Sequence, residues 1–232
     1  MTEGYLLGLQ QEIKLLIQLF LTSYIANIFW GSFDIITFYN LSFSVSQIGL
    51  LSIFLIWFIG IYNAVNLLDG LDGLAGGFIF LLTIGLSVVG ESEFFHLNKI
   101  FAIVLLGFLV LNQRPAKIFM GDSGSCFLGL VLGMISVLHA QEHPKLLWCW
   151  IILMGVFITD ATLTLIRRIL RKQIIYEAHC SHAYQYASRT YKSHHTVTLG
   201  IIVINLFWLS PWATMVVFEK IDTVWALLIS YF

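Results

Sequence analysis

Apolar residues run along this chain in continuous blocks, and polar residues gather in the short gaps between them. The blocks fall at roughly 13–30, 47–62, 77–90, 98–112, 123–140, 146–166 and 197–218. A bilayer core of about 30 Å takes about 20 helical residues, so the pattern predicts about seven transmembrane helices. An apolar tail at 222–232 is too short to span. Continuous runs argue against a β-barrel, whose strands alternate, and in lipid a helix satisfies its backbone groups within itself. The expected fold is an all-α, polytopic membrane helix bundle, with residues 1–232 as a single integral membrane domain.

Composition agrees. Of 232 residues, 59% are hydrophobic and 11% charged, against roughly 25% charged in soluble domains. The net charge of −1 says little, but the distribution of basic residues says more. Threading seven spans puts loops 63–76, 113–122 and 167–196 on the same side as the N-terminus. With the adjoining helix ends, that side collects Lys14, Arg114, Lys117, Arg167, Arg168, Arg171, Lys172, Arg189 and Lys192. The other side keeps Lys99, Lys145 and Lys220, so the first side is expected to be cytoplasmic. Cys126, Cys149 and Cys180 form no CxxC pair and read as packing residues. The opening MTEGYLLGLQQEIK has acidic and amide residues where a signal peptide carries basic ones, so the first span is expected to act as the insertion signal.

Three polar stretches stand out against this background. In NAVNLLDGLDGLAGG, residues 63–77, a helix continuing from the second span would carry Asn63, Asn66, Asp69 and Asp72 as one drifting stripe. Gly70, Gly73, Gly76 and Gly77 would then break the helix and bring bare backbone close to a ligand. A loop with no further role is the alternative. In RPAKIFMGDSGSCFLG, residues 114–129, the turn Gly121 to Ser125 precedes the fifth span, whose positive dipole end suits phosphate. Asp122 there is either a helix N-cap or an oxygen ligand suited to Mg²⁺, and the two roles are compatible. The third stretch is loop 167–196, where His179, His182, His194 and His195 stand near Arg189, Tyr184, Tyr186 and Tyr191. It reads either as a segment attracted to anionic lipid heads or as a phosphate-binding loop. A zinc site on His179, Cys180 and His182 matches no standard finger spacing. Asp160, inside VFITDATLTLIRRIL, is either functional or held by Thr159, Thr162 or Arg167.

An Asn/Asp stripe, a GDSGS turn and a His/Arg/Tyr loop on one face suit Mg²⁺-assisted transfer of a phosphorylated group to a lipid-borne acceptor. A transporter or an intramembrane aspartyl protease using Asp122 and Asp160 leaves the stripe and the histidine loop without a role.

NAVNLLDGLDGLAGG, KIFMGDSGSCFLG and HCSHAYQYASRTYKSHHTVTL resemble three segments of the polyprenyl-phosphate N-acetylhexosamine-1-phosphate transferases, in the family's order. SHAYQYASR and SHHTVTL are most similar to the branch that begins O-antigen and related surface polysaccharides. The resemblance implies a multi-pass bacterial inner-membrane enzyme with its active face cytoplasmic, among membrane lipids and with no nucleic acid partner. It implies that undecaprenyl phosphate attacks the sugar-linked phosphorus of a UDP-N-acetylhexosamine and releases UMP, with Mg²⁺ or alternatively Mn²⁺. Carried over, Asp122 matches the metal ligand, Asn66, Asp69 and Asp72 line the nucleotide and diphosphate pocket, and His182, His194 and His195 fall in the histidine loop. Asp122, Asp69, Asp72 and His182 are the expected catalytic residues. Asn63, Asn66, Gly70, Lys117, Ser123, Arg189, His194 and His195 are expected to hold substrate. The family also carries an Asp pair ahead of the stretch EGYLLGLQQEIK and about ten or eleven spans of about 20 residues each. Met1 and Thr2 stand where that pair would end, with Glu3 the nearest carboxylate. The resemblance therefore implies an N-terminally shortened member, either active or a binding or assembly protein that keeps the nucleotide-sugar loops without turnover.

Overall fold

A computed structural model describes residues 2–29, 35–38, 41–44, 46–89, 95–113, 115–173 and 182–232. Among the described residues the predicted apolar blocks fall on helices, one of them broken at Met154. These are α1 (Thr2–Ile28), α2 (Gln47–Leu68), α3 (Leu74–Val89), α4 (Phe95–Asn112), α5 (Gly121–Glu142), α6 (Pro144–Leu153) and α7 (Gly155–Leu170). They are followed by α8 (Ala183–Tyr191), α9 (His194–Ile204), α10 (Ser210–Val217) and α11 (Thr223–Tyr231). The chain is a helical membrane bundle. Its one departure from all-α among the described residues is an antiparallel hairpin, β1 (Ile35–Phe38) with β2 (Leu41–Ser44), Ile35 opposite Ser44.

Length and composition alone single out fewer helices than the seven spans expected. Among the described residues three helices are long and apolar enough to cross a membrane, Ile48–Asn66, Gly121–Glu142 and His194–Val217. A fourth is obtained only by joining α6 to α7, which are bent by 65°. Leu74–Leu86 and His96–Asn112 are apolar but shorter. Hydropathy sums apolar residues whether or not the helix continues through them, which is why it ran 146–166 together as one span.

The bend leaves carbonyls at the end of α6 without a partner in their own helix, and in an apolar interior each must find a donor. Two side chains from later helices supply them: Asn205 Nδ2 donates to the Leu153 carbonyl at 2.6 Å, and the Tyr231 hydroxyl to the Ile151 carbonyl at 2.9 Å. Asn205 is buried and opens a π-helical turn, Asn205–Leu209, between α9 and α10. The tail α11 therefore packs on α6 and helps to close the break. Asn205→Leu keeps the volume and orphans the carbonyl, so it should cost about 1–3 kcal/mol, read as a lower unfolding temperature in detergent.

The core runs from α2 and α3 through α5 and α6, with Phe58, Phe78, Leu132 and Trp150 fully buried. Close approach of α2 and α5 positions the site. A Cβ on Gly129 would stand 2.8 Å from the Tyr62 Cα, a contact with backbone that nothing flexible relieves. Trp57 Nε1 donates across the same interface to Ser136 Oγ at 2.8 Å. Gly129→Ala should force the helices apart at a cost on the order of 1–3 kcal/mol, and the loss of stability should exceed that of an alanine at Gly60, which has open space around it.

Candidate active site at the ends of α2, α5 and α8

The helix α2 ends earlier than the stripe requires. It stops at Leu68, with Asp69 at its C-cap and Asp72 in the turn that follows, so only Asn63 and Asn66 lie on the helix and the expected four-residue stripe is corrected. The turn closes because Gly73 adopts φ +72° and its N–H donates to Asn112 Oδ1 at 3.1 Å. Asn112 Nδ2 in turn donates to the Ile118 carbonyl at 2.9 Å, tying the end of α4 to the segment before α5. The expected loops shrink accordingly. Loop 63–76 is reduced to the five residues between α2 and α3, 113–122 ends where α5 begins at Gly121, and 167–196 contains the whole of α8.

The first two motifs meet here. Asn66 Nδ2 donates to Asp122 Oδ1 at 2.9 Å and to Ser125 Oγ at 2.8 Å. The Gly121 N–H, at the start of α5, donates to Asp69 Oδ2 at 2.9 Å. Asp122 is therefore not the N-cap of α5: it sits in the first helical turn, and Asp69 from the other motif accepts from the helix end. Burial is the main reason that the Asp69 carboxyl lies above the ordinary aspartate range, with the Gly121 hydrogen bond opposing it and the charge of Asp122 adding to it. Asp122 is open, its side chain 81% exposed. Lys14, from α1, closes the junction: its Nζ lies 3.0 Å from Asn66 Oδ1 and 3.5 Å from Asp122 Oδ2.

The histidine loop joins from the other side. Asp72 Oδ2 stands 4.0 Å from His194 Nδ1 at the start of α9. Tyr184 packs against Gly70 so closely that a Cβ there would meet its hydroxyl at 2.8 Å. The Tyr184 ring stacks on His182, centroids 5.8 Å apart. His182 is buried, its Nδ1 3.5 Å from Asp160 Oδ2. Asp160 also accepts from the Ala183 N–H at 2.8 Å and from Thr164 at 3.3 Å, so its partners are Thr164, Ala183 and His182 in place of the expected Thr159, Thr162 or Arg167.

The structure thus gathers Asn66, Asp69 and Asp122, and links Asp72 to His194 and Gly70 to Tyr184 and His182. Other expected residues lie outside these contacts. Asn63 is exposed and its amide returns to the Ile59 carbonyl at 2.7 Å. Lys117, Ser123 and His195 are exposed, and the Arg189 guanidinium lies over the Tyr186 ring at 4.6 Å. His179, Cys180 and Arg114 lie outside the described residues. Two participants were not expected, Lys14 and Ser125. Ser125 stood in the GDSGS motif, but Lys14 lies 52 residues from Asn66 and 108 from Asp122, and only its basic character in an apolar stretch marked it. Among the described residues no three His, Cys, Asp or Glu side chains gather as a metal cage. One exposed carboxylate next to an ammonium and a helix start suits a cation shared with bound phosphates.

A model of glycosyl transferase family 4 matches residues 6–140, which include α2, the 69–73 turn and almost all of α5. The chain belongs to glycosyl transferase family 4. This bears out the resemblance to the polyprenyl-phosphate hexosamine-1-phosphate transferases. Among curated relatives, the chain is 41% identical over 159 residues to a probable undecaprenyl-phosphate N-acetylglucosaminyl 1-phosphate transferase of Bacillus subtilis (strain 168), covering 65% of this chain and 44% of that protein. It is 31% identical over 179 residues to a phospho-N-acetylmuramoyl-pentapeptide-transferase of Chlamydia trachomatis serovar L2, covering 72% and 48%. To the protein of that name in Streptococcus pyogenes serotype M49 it is 36% identical over 153 residues, covering 63% and 42%. This family 4 chain therefore spans less than half the length of these relatives.

Proposed function

We propose that this glycosyl transferase family 4 chain carries the donor side of a sugar-1-phosphate transfer, from a UDP-N-acetylhexosamine to undecaprenyl phosphate, on the cytoplasmic face of a bacterial inner membrane. The observation that carries the reading is the junction of Asn66, Asp69, Asp122 and Lys14, which places carboxylates and an ammonium together at the start of a helix. In the proposed reaction an oxygen of the lipid phosphate bonds to the sugar-linked phosphorus. The bond from that phosphorus to the bridging oxygen breaks, and its electron pair leaves on UMP.

Asp122 is the residue that would hold Mg²⁺, which when bound draws charge from the diphosphate oxygens. Asn66 fixes the orientation of Asp122 through Oδ1, and Ser125 fixes Asn66. Lys14 offers its charge to phosphate oxygen, and the exposed amides at the start of α5 do the same along the helix dipole. Asp72 and His194 stand where the donor would extend past the 69–73 turn, with His194 a donor to sugar or phosphate. The 41% identity to a relative named for N-acetylglucosaminyl transfer favours N-acetylglucosamine as the sugar; the O-antigen branch is the narrower expectation from SHAYQYASR.

The test is UMP release from UDP-N-acetylglucosamine by the chain in membranes supplied with undecaprenyl phosphate, with and without Mg²⁺. Release that needs both lipid and metal supports the proposal. Binding of the UDP-sugar with no release at any metal concentration supports instead a chain that holds nucleotide-sugar without turnover.

A further inference from the structure

The site places a cation where the proposed metal would sit. Asp122 has two oxygens, and they are not equivalent: Oδ1 accepts from Asn66 Nδ2 at 2.9 Å, while Oδ2 faces Lys14 Nζ at 3.5 Å. The oxygen that accepts nothing from Asn66, and so is the more open to a metal, is the one the ammonium approaches. We propose, resting on the Mg²⁺ reading above, that Lys14 and a divalent cation take the Asp122 carboxylate in alternation. Lys14 is then a positioning residue that sets the cation affinity of the site and turns to an anionic substrate oxygen when the cation arrives.

Three observations carry this. A metal bonds a carboxylate oxygen at about 2.1 Å, which leaves no room beside the same oxygen for a second positive charge, since like charges repel inversely with distance and a divalent ion doubles the effect. Lys14 is able to yield, because its side chain is 29% exposed and a lysine ammonium is a point charge on a flexible stem. It also stays in the site when it yields: its second acceptor, Asn66 Oδ1 at 3.0 Å, is neutral, and Asn66 is anchored by Ser125 at 2.8 Å. The ammonium swings about that anchor while giving up Oδ2. A diphosphate arriving with the metal supplies the new partner.

Mn²⁺ binding followed by electron paramagnetic resonance tests this without any turnover. The chain is placed in nanodiscs of neutral lipid at low ionic strength, with no nucleotide, and wild type is compared with Lys14→Met, Lys14→Arg and Asp122→Asn. Lys14→Met should bind Mn²⁺ about tenfold more tightly or better, whereas Lys14→Arg, which keeps the charge, should stay within about threefold of wild type. Asp122→Asn should lose the site. Unchanged or weaker binding in Lys14→Met, with binding still lost in Asp122→Asn, overturns the alternation and leaves the metal reading standing. Binding indifferent to Asp122→Asn overturns both; no binding in wild type and Lys14→Met alike overturns the alternation and leaves standing a cation that is shared with bound phosphates. Thermal unfolding curves establish that each variant is folded, and Lys14→Gln replaces the Met variant if that one is not.

Discussion

Asp122→Asn should reduce UMP release by about 10³-fold or more, a loss of the size seen when one aimed electrostatic group is removed from a transfer site, while the unfolding temperature stays within a degree or two of wild type. The separation follows from the geometry. The Asp122 side chain is 81% exposed and its ion-pair partner is Lys14 at 3.5 Å, and exposed pairs of this kind contribute about 0–1 kcal/mol. An Asn side chain keeps an oxygen that accepts from Asn66 Nδ2, so the α2–α5 junction retains its hydrogen bond at 2.9 Å. What it loses is the negative charge that the proposed Mg²⁺ requires. Rate and stability therefore part at this residue, and paired measurements of UMP release and thermal unfolding on one preparation check it. A variant with normal release removes Asp122 from the chemistry; one that is inactive and unfolded shows the residue acting through the fold.

Helices in this molecule are legible one segment at a time, because apolar continuity is a property of neighbouring residues. The motifs are legible for the same reason: GDSGS and NLLDGLDG are each local. What escapes the sequence is set by residues far apart. The end of α2 at Leu68 depends on Gly73 donating to Asn112, 39 residues on, so the periodic Asn and Asp residues suggested a longer helix than forms. The bend between α6 and α7 is tolerated because Asn205 and Tyr231 reach carbonyls 52 and 80 residues away. Lys14 entered the site only through folding, and no spacing rule connects it to Asp122. Asp160 shows the limit from the other direction. A carboxylate in an apolar stretch was visible at once and helical neighbours were the natural guesses for its partner; Thr164 is one such neighbour, but the fold adds His182 and Ala183 from the start of α8.

Asp160→Leu should accordingly be the most destabilising change near the site, at about 3–5 kcal/mol, the cost of breaking a buried ionic or strongly polar pair by removing one member. The side chains of His182 and Asp160 are 4% and 12% exposed, so water offers little replacement for a lost partner. One carboxylate serves three groups: His182 at 3.5 Å, the Ala183 N–H at 2.8 Å and the Thr164 hydroxyl at 3.3 Å. Two of these lie where α8 begins, so the carboxylate holds α8 to α7. Tyr184, in the first turn of α8, carries that attachment to Gly70 in the turn between α2 and α3. Loss of the Asp160 carboxylate should therefore release α8 before the rest of the bundle, and hydrogen exchange should speed up across Ala183–Tyr191 while α2 and α5 keep their protection. Asp160→Asn retains an acceptor and should lose less. Equal exchange across all helices in Asp160→Leu would mean that the pair supports the whole bundle, and unchanged exchange in α8 would mean that it does not fasten this helix.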